Sequence, residues 1–327
     1  MRKPEITTVA ALLVLAAFPA AAQDSKSWLE AQGLEAGATK THEEFEAMVA
    51  RVKGAKDAAS AQERVVVFAK GKLAWQSNPK ENEPAAKWGL HALGTDLDGD
   101  GKPEMHISGF SGGANCCTTH YVYKLKPQVR RHAAHPANHV GGGEFVETPG
   151  RKTPIMVSAD DSSANAFGPY SSSYFPAVIL EVSSKGRFQF AIDLMRSKLP
   201  GQPPAVCAQP VASANPWLKE RCGEYTTARR VARINEIKSR LAGVKQGRAA
   251  EQVKWDDYVA TGVLAAMAAE VNRYTYTGHG TAGMGWLETV WAGNEPIKLK
   301  FVAELRKTWT KSVFAADLRA LGAGFHQ

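Results

Sequence analysis

Residues 101–125, GKPEMHISGFSGGANCCTTHYVYKL, and residues 150–182, GRKTPIMVSADDSSANAFGPYSSSYFPAVILEV, follow one plan. Each opens on Gly, a basic residue and Pro. A short apolar run follows, then a loop rich in Ser, Gly and Asn, an aromatic residue and an alternating segment. Alternation with period two is the mark of a strand, and in Thr119–Leu125 it sets Tyr121, Tyr123 and Leu125 on one face. The pair reads as a degenerate internal duplication of a β unit, with loops of different length.

Other segments extend this β-rich part. VVVFAKGKLAWQS, from Val65, predicts a hairpin turning at Lys70-Gly71. Trp88–Gly94 and Met105–Phe110 predict further strands, and Phe188–Leu194 one more before the β region closes near Pro200. Residues 24–60 predict helix instead. Thr41 and Glu44 fit a capping box, and Phe45, Met48, Val49 and Val52 recur at helical spacing. Beyond Pro216 the chain predicts helix again: Tyr225–Leu241, Trp255–Tyr274 and Leu299–Leu321, interrupted by TYTGHGTAGMG. The expected fold is α+β. A signal peptide (1–22) and a helical N-terminal segment (23–64) precede a β-rich module with an acidic loop (65–200). A cysteine-containing linker and helical C-terminal region (201–327) follow.

The first residues set the expected location. Arg2 and Lys3 precede an apolar run, Val9–Phe18, and Ala20-Ala21-Ala22 supplies small residues at a cleavage site. This pattern is that of a secretory leader, with Gln23 the mature start. No later segment is long and apolar enough for a membrane span, so a periplasmic or secreted protein without an anchor is expected. Net charge is +8; removing Arg2, Lys3 and Glu5 leaves +7. Trp217–Lys254 carries ten Lys or Arg against four Glu. In an exported chain this points to an anionic cell-envelope component, or another envelope protein, rather than to nucleic acid. Four cysteines in an oxidising space favour disulfides. Cys207 and Cys222 could close a ring worth about 3 kcal/mol. Cys116 and Cys117 would then form a vicinal pair, with crossed pairings left open.

The chemistry concentrates in DLDGDGKPE, residues 96–104. Asp96, Asp98, Asp100 and Glu104 stand at positions 1, 3, 5 and 9 of a loop, and Lys102 offers a carbonyl at position 7. Alternating acids on a tightly turned loop converge on one point, as a hard cation with oxygen ligands requires. Gly99 and Gly101 suit the left-handed backbone of such a wrap. Calcium is the expected ion. Position 12 is Ile107 and a β pattern follows, so this is no helix-loop-helix site.

DLDGDGKPE leading into a strand resembles the acidic loops of FG-GAP and VCBS-type repeats. The resemblance implies calcium held by Asp96, Asp98, Asp100 and Glu104 between strands of a propeller-like module. GFSGGANCCTTHYVYKL is also similar to a segment of exported bacterial proteins of unassigned function, with Asn115 where those carry His. The resemblance covers residues 88–195, and two repeats do not make a full propeller ring.

Three other chemistries compete. Cys116, Cys117 and His120 form C-C-x-x-H, and His132, His135 and His139 form H-x-x-H-x-x-x-H, a donor set suited to zinc or copper. This makes a periplasmic zinc or copper binder the main alternative. Gly109-Phe110-Ser111-Gly112-Gly113 fits the G-x-S-x-G of a hydrolase elbow, but the helix such an elbow needs is not expected after it. Ser77-Asn78-Pro79-Lys80 fits S-x-x-K with Pro inside the required turn, and His279 sits on a glycine-flanked loop. The Cys207–Cys222 spacing ahead of a helix is similar to small lysozyme-inhibitor modules, which implies an envelope binder. The reading that accounts for most of the chain is an exported, non-catalytic protein with a calcium-stabilised β module.

Overall fold

The computed structural model describes residues 24–55, 63–78, 85–113, 117–138, 143–245, 247, 249, 252–291, 294–322 and 324. The expected leader, together with Cys116, Asn115, His139 and Lys80, lies outside them.

Among the described residues, twelve strands form three antiparallel meanders in chain order. Helix α1 (Ser25–Ala31) leads into the first sheet: β1 (Leu34–His42), β2 (Phe45–Val52), β3 (Arg64–Ala69) and β4 (Lys72–Gln76). The second holds β5 (Lys87–Thr95), β6 (Glu104–Phe110), β7 (Thr118–Lys124) and β8 (Arg130–Asn138). The third holds β9 (Phe145–Val146), β10 (Ile155–Ala159), β11 (Ala177–Ser183) and β12 (Arg187–Phe190). The helical region follows: α2 (Ile192–Met195), α3 (Pro210–Ala214), α4 (Pro216–Gly223), α5 (Thr227–Lys245), α6 (Trp255–Ala260), α7 (Val263–Thr275), α8 (Gly280–Val290), α9 (Glu295–Lys311) and α10 (Ala315–Leu321). The fold is α+β, as expected.

The repeated sequence units occupy equivalent places. β6–β7 and β10–β11 are each the two inner strands of a four-stranded meander. The Lys70-Gly71 hairpin also forms, with both residues in the left-handed region that a two-residue turn demands.

The N-terminal segment departs from expectation. Beyond α1, residues 34–52 are a β-hairpin closed at Glu43-Glu44, with His42 paired to Phe45. The reason is burial on two sides. Phe45, Ala47 and Val49 of β2 pack toward the second sheet, whereas Met48 and Ala50 pack under α1 with Leu29. A strand covered on both faces loses its polar alternation, and its apolar positions then also satisfy a helical period. Smaller corrections fall in the C-terminal region. Gly262, at φ +67, separates α6 from α7 inside the expected helix 255–274. Phe314 separates α9 from α10, and Phe188–Leu194 ends as a strand at Phe190 before α2. The TYTGHGTAGMG stretch starts α8 at Gly280.

The second sheet is the middle layer. Met105, Ile107, Tyr121, Tyr123 and Leu125 face the first sheet and join Phe45, Ala47, Val49, Val65 and Val67 in one core. Val122 and Ala133, on the other face, join a larger core with Ile155, Val157, Val178, Leu180, Phe188 and the helical region. One polar tie holds the helices to this body, and two more bind the helical region to itself. Buried Asp160, at the end of β10, accepts hydrogen bonds from the hydroxyls of Tyr276 (2.6 Å) and Ser312. Buried Arg273 donates to Glu224 at 2.8 Å and to Glu270 at 3.2 Å. Cys207 and Cys222 are disulfide-bonded, which excludes crossed pairing to either; Cys117 is disulfide-bonded as well. Two basic residues of the 217–254 stretch are paired within the chain: Arg233 with buried Glu270 at 3.0 Å and, at the surface of α5, Arg240 with Glu236 at 2.5 Å. No helix among the described residues is long and apolar enough to cross a membrane.

Candidate metal centre on the middle sheet

The acidic loop joins β5 to β6 and folds back on its own amides. Asp96 accepts from the amides of Gly99 (2.7 Å) and Gly101 (2.9 Å), which both sit at positive φ. Asp98 accepts from the Asp100 amide at 3.1 Å, and Asp100 from the Lys102 amide at 2.9 Å. Glu104, fully buried, accepts from the Leu97 amide at 2.6 Å. One oxygen of each of Asp96, Asp98, Asp100 and Glu104 lies within 4.8 Å of the others, so the four acids form a cluster that could hold a metal ion. The fifth expected ligand, Lys102, uses its amide inside the loop and its ammonium 3.8 Å from Asp100.

A residue absent from the sequence reading completes this cluster. Lys124 stands opposite Glu104 in the β6–β7 register. Its ammonium lies 2.8 Å from Asp98, 2.8 Å from Asp100 and 2.9 Å from Glu104. Burial works against that charge, but the hydrogen bonds to Asp100, Asp98 and Glu104 outweigh it and hold the ammonium above its ordinary pKa. The hydrogen bond from Lys124 lowers the Asp100 pKa, whereas burial raises that of Glu104. His132, from β8, approaches Asp98 at 2.9 Å. One ammonium therefore contacts three of the four carboxylates, and the fourth, Asp96, accepts from the loop amides.

A second cluster lies on the same face of the sheet. On β6 the side chains of Glu104, His106 and Ser108 alternate with apolar Met105 and Ile107. On β7, His120 and Lys124 share that polar face, and on β5 a register irregularity between Leu90 and Ala92 turns His91 toward it. His91, His106 and His120 each offer a ring nitrogen within 4.8 Å of the others. His106 Nε2 and His120 Nδ1 are 2.8 Å apart, and His91 Nε2 is 2.7 Å from the Ser108 hydroxyl. The His91 and His106 rings stack at 4.6 Å. Glu144 places a carboxylate oxygen 3.8 Å from His91 Nδ1. Gly89 leaves the space: a Cβ there would meet the Ser108 hydroxyl at 2.7 Å and His91 Nε2 at 2.9 Å.

Burial keeps these imidazoles neutral. It pushes His106 well below its ordinary value, His120 down to about 3 and His135 down to about 4, and it lowers His91.

The ligand set expected from the sequence is not the one the fold assembles. His132 turns to Asp98 and to the Ser183 carbonyl. His135 pairs with the Ser158 hydroxyl at 3.1 Å, among Phe188 and Phe314. Cys117 is oxidised and offers no thiolate. Of the expected donors among the described residues, only His120 joins the cluster. The remaining candidates have local roles. Ser111 lies in the β6–β7 loop, exposed, with a strand rather than a helix beyond it. The Ser77 hydroxyl accepts from the Val65 amide at 3.0 Å. His279 precedes α8 and contacts the Ser197 carbonyl at 3.1 Å.

No protein family, curated protein or solved structure matches this chain.

Proposed function

We propose that this is an exported, non-catalytic protein of the cell envelope whose β-rich part is stabilised by calcium at the acidic loop. One observation carries the reading: Asp96, Asp98, Asp100 and Glu104, spread over nine residues, bring oxygens to one point on a loop anchored between two strands. Hard oxygen donors in that density suit calcium better than a borderline metal. Three four-stranded meanders in chain order are in keeping with a propeller-like module. The Cys207–Cys222 disulfide fits an oxidising compartment, and the basic stretch 217–254 is the surface for an anionic envelope partner.

Calcium must displace the Lys124 ammonium from three carboxylates, which sets a clear test. Thermal unfolding of the full chain is followed in chelator and in millimolar calcium, for the natural sequence, Asp98→Ala and Lys124→Met. Calcium should raise the midpoint of the natural protein and do so at lower concentration in Lys124→Met. Asp98→Ala should not respond. No calcium shift in either the natural protein or Lys124→Met would make the loop a lysine-closed turn and remove the calcium reading.

A further inference from the structure

We propose that His91, His106 and His120 form a site for a borderline divalent metal ion of the zinc type, separate from the acidic loop. The inference uses different residues from the calcium reading and does not depend on it.

The first support is placement. Three imidazoles come from three neighbouring strands and meet on one face of a sheet, so their backbones are fixed by the ladder rather than by a loop. Ligand nitrogens within 4.8 Å of one another need only a modest contraction to share one ion, because zinc–nitrogen bonds of about 2.0–2.1 Å place two ligands at most about 4.2 Å apart.

The second support is the pairing of the two buried rings. His106 and His120 are 0 % and 1 % exposed, and their rings share one hydrogen bond. Among the described residues the two far nitrogens, His106 Nδ1 and His120 Nε2, have no partner. A neutral pair sharing one N–H always leaves one bare lone pair and one N–H on those far nitrogens. A metal can replace that shared hydrogen bond: with the ring protons moved to the far nitrogens, His106 Nε2 and His120 Nδ1 each turn a lone pair to one ion, with no net loss of protons.

The surroundings suit that ion. The donors are imidazole nitrogens, which favour zinc and its neighbours over calcium or magnesium. His91, the least buried of the three, gives an approach from the surface, and Glu144 stands beside it as a carboxylate that can orient the ring or complete the coordination. Ser108 holds the other nitrogen of His91. Three histidines with one remaining position is a coordination set that zinc adopts.

The experiment uses untagged full-length protein, stripped with chelator and titrated calorimetrically with Zn²⁺ in saturating calcium. Co²⁺ serves as a spectroscopic probe of coordination. One Zn²⁺ per chain is expected, with the strong visible absorption of four-coordinate Co²⁺. His91→Ala should bind about 100-fold more weakly or not at all. His91 is the variant of choice because its partial exposure spares the fold; His106→Gln adds a second reading if circular dichroism shows it folded. Asp98→Ala and His135→Gln should retain the zinc site. Zinc affinity unchanged in His91→Ala, zinc lost on Asp98→Ala alone, or the weak spectrum of octahedral Co²⁺ would each overturn the proposal. So would the absence of any binding tighter than that of the buffer blank. A failed calcium melt with an intact zinc site would remove only the calcium reading.

Discussion

The two faces of the middle sheet are built from the same four strands and have opposite chemistry. Toward the first sheet, Met105, Ile107, Tyr121, Tyr123 and Leu125 form a dry, close-packed layer. Toward the third sheet, the same strands present Glu104, His106, Ser108, His120 and Lys124, with Asp98 and His91 drawn in from the flanking loop and strand. A single alternation along β6 and β7 produces both. Burying charges and imidazoles between sheets costs stability unless each is paired. The polar face therefore holds itself together by specific bonds, and the apolar face by area.

The largest expected effect is on the polar face. Lys124→Ala leaves Glu104 and Asp98 buried without their counter-ion, and about 3–5 kcal/mol of unfolding free energy should be lost in urea denaturation without calcium. A loss below 1 kcal/mol would show that the carboxylates are not dependent on this ammonium. The counterpart on the apolar face is Ile107→Ala, fully buried, which should cost about 2–5 kcal/mol by leaving a cavity. It should leave zinc and calcium affinity unchanged, because its side chain points away from both clusters. A coupled loss of metal binding would mean that the two faces do not act separately.

Acid should distinguish the faces further. His120 and His135 are neutral when folded, with pKa values pushed down to about 3 and about 4. In the unfolded chain they titrate near 6.5. Below that value the unfolded state binds more protons, so the stability of the metal-free protein is complete above about pH 6.5. It falls as the pH drops toward 4, by up to about 1.4 kcal/mol per unit for each histidine. His135→Gln should flatten this slope, measured as unfolding midpoint against pH, whereas Ile107→Ala should only offset it. The smallest effect belongs to Glu144→Gln. This exposed carboxylate should contribute less than about 0.5 kcal/mol to stability, yet its loss should weaken zinc binding about tenfold. An equal effect on stability would mark it as a structural ion pair instead.

Much of the β architecture is legible in the sequence because it rests on local signals. The Lys70-Gly71 turn, the alternation of Thr119–Leu125 and the repeated plan of residues 101–125 and 150–182 each specify a feature that the fold contains. The N-terminal hairpin is not legible, since a strand sandwiched between α1 and the middle sheet carries apolar residues on both sides. The acidic cluster is legible for the same local reason as the turns: nine consecutive residues contain all four acids. Lys124 and the histidine cluster depend on pairing between strands. Period two places His120 and Lys124 opposite the tyrosine face, and Glu104 and His106 together on β6. What the sequence lacks is the register that brings Glu104 beside Lys124. His91 is harder still, because an irregularity in β5 decides which way it faces. The spaced histidines of β8 mislead for the converse reason: His132 and His135 serve different partners although they are close in sequence.

The most direct measurement is an anomalous difference map at the zinc edge from a crystal of the full chain equilibrated with Zn²⁺ and Ca²⁺. A single strong peak bounded by His91, His106 and His120, with the acidic loop free of zinc, is the expected result. Zinc confined to the acidic loop or to scattered surface histidines, with His106 and His120 still hydrogen-bonded to each other, would contradict the assignment of the polar face as a metal-binding surface with two distinct sites.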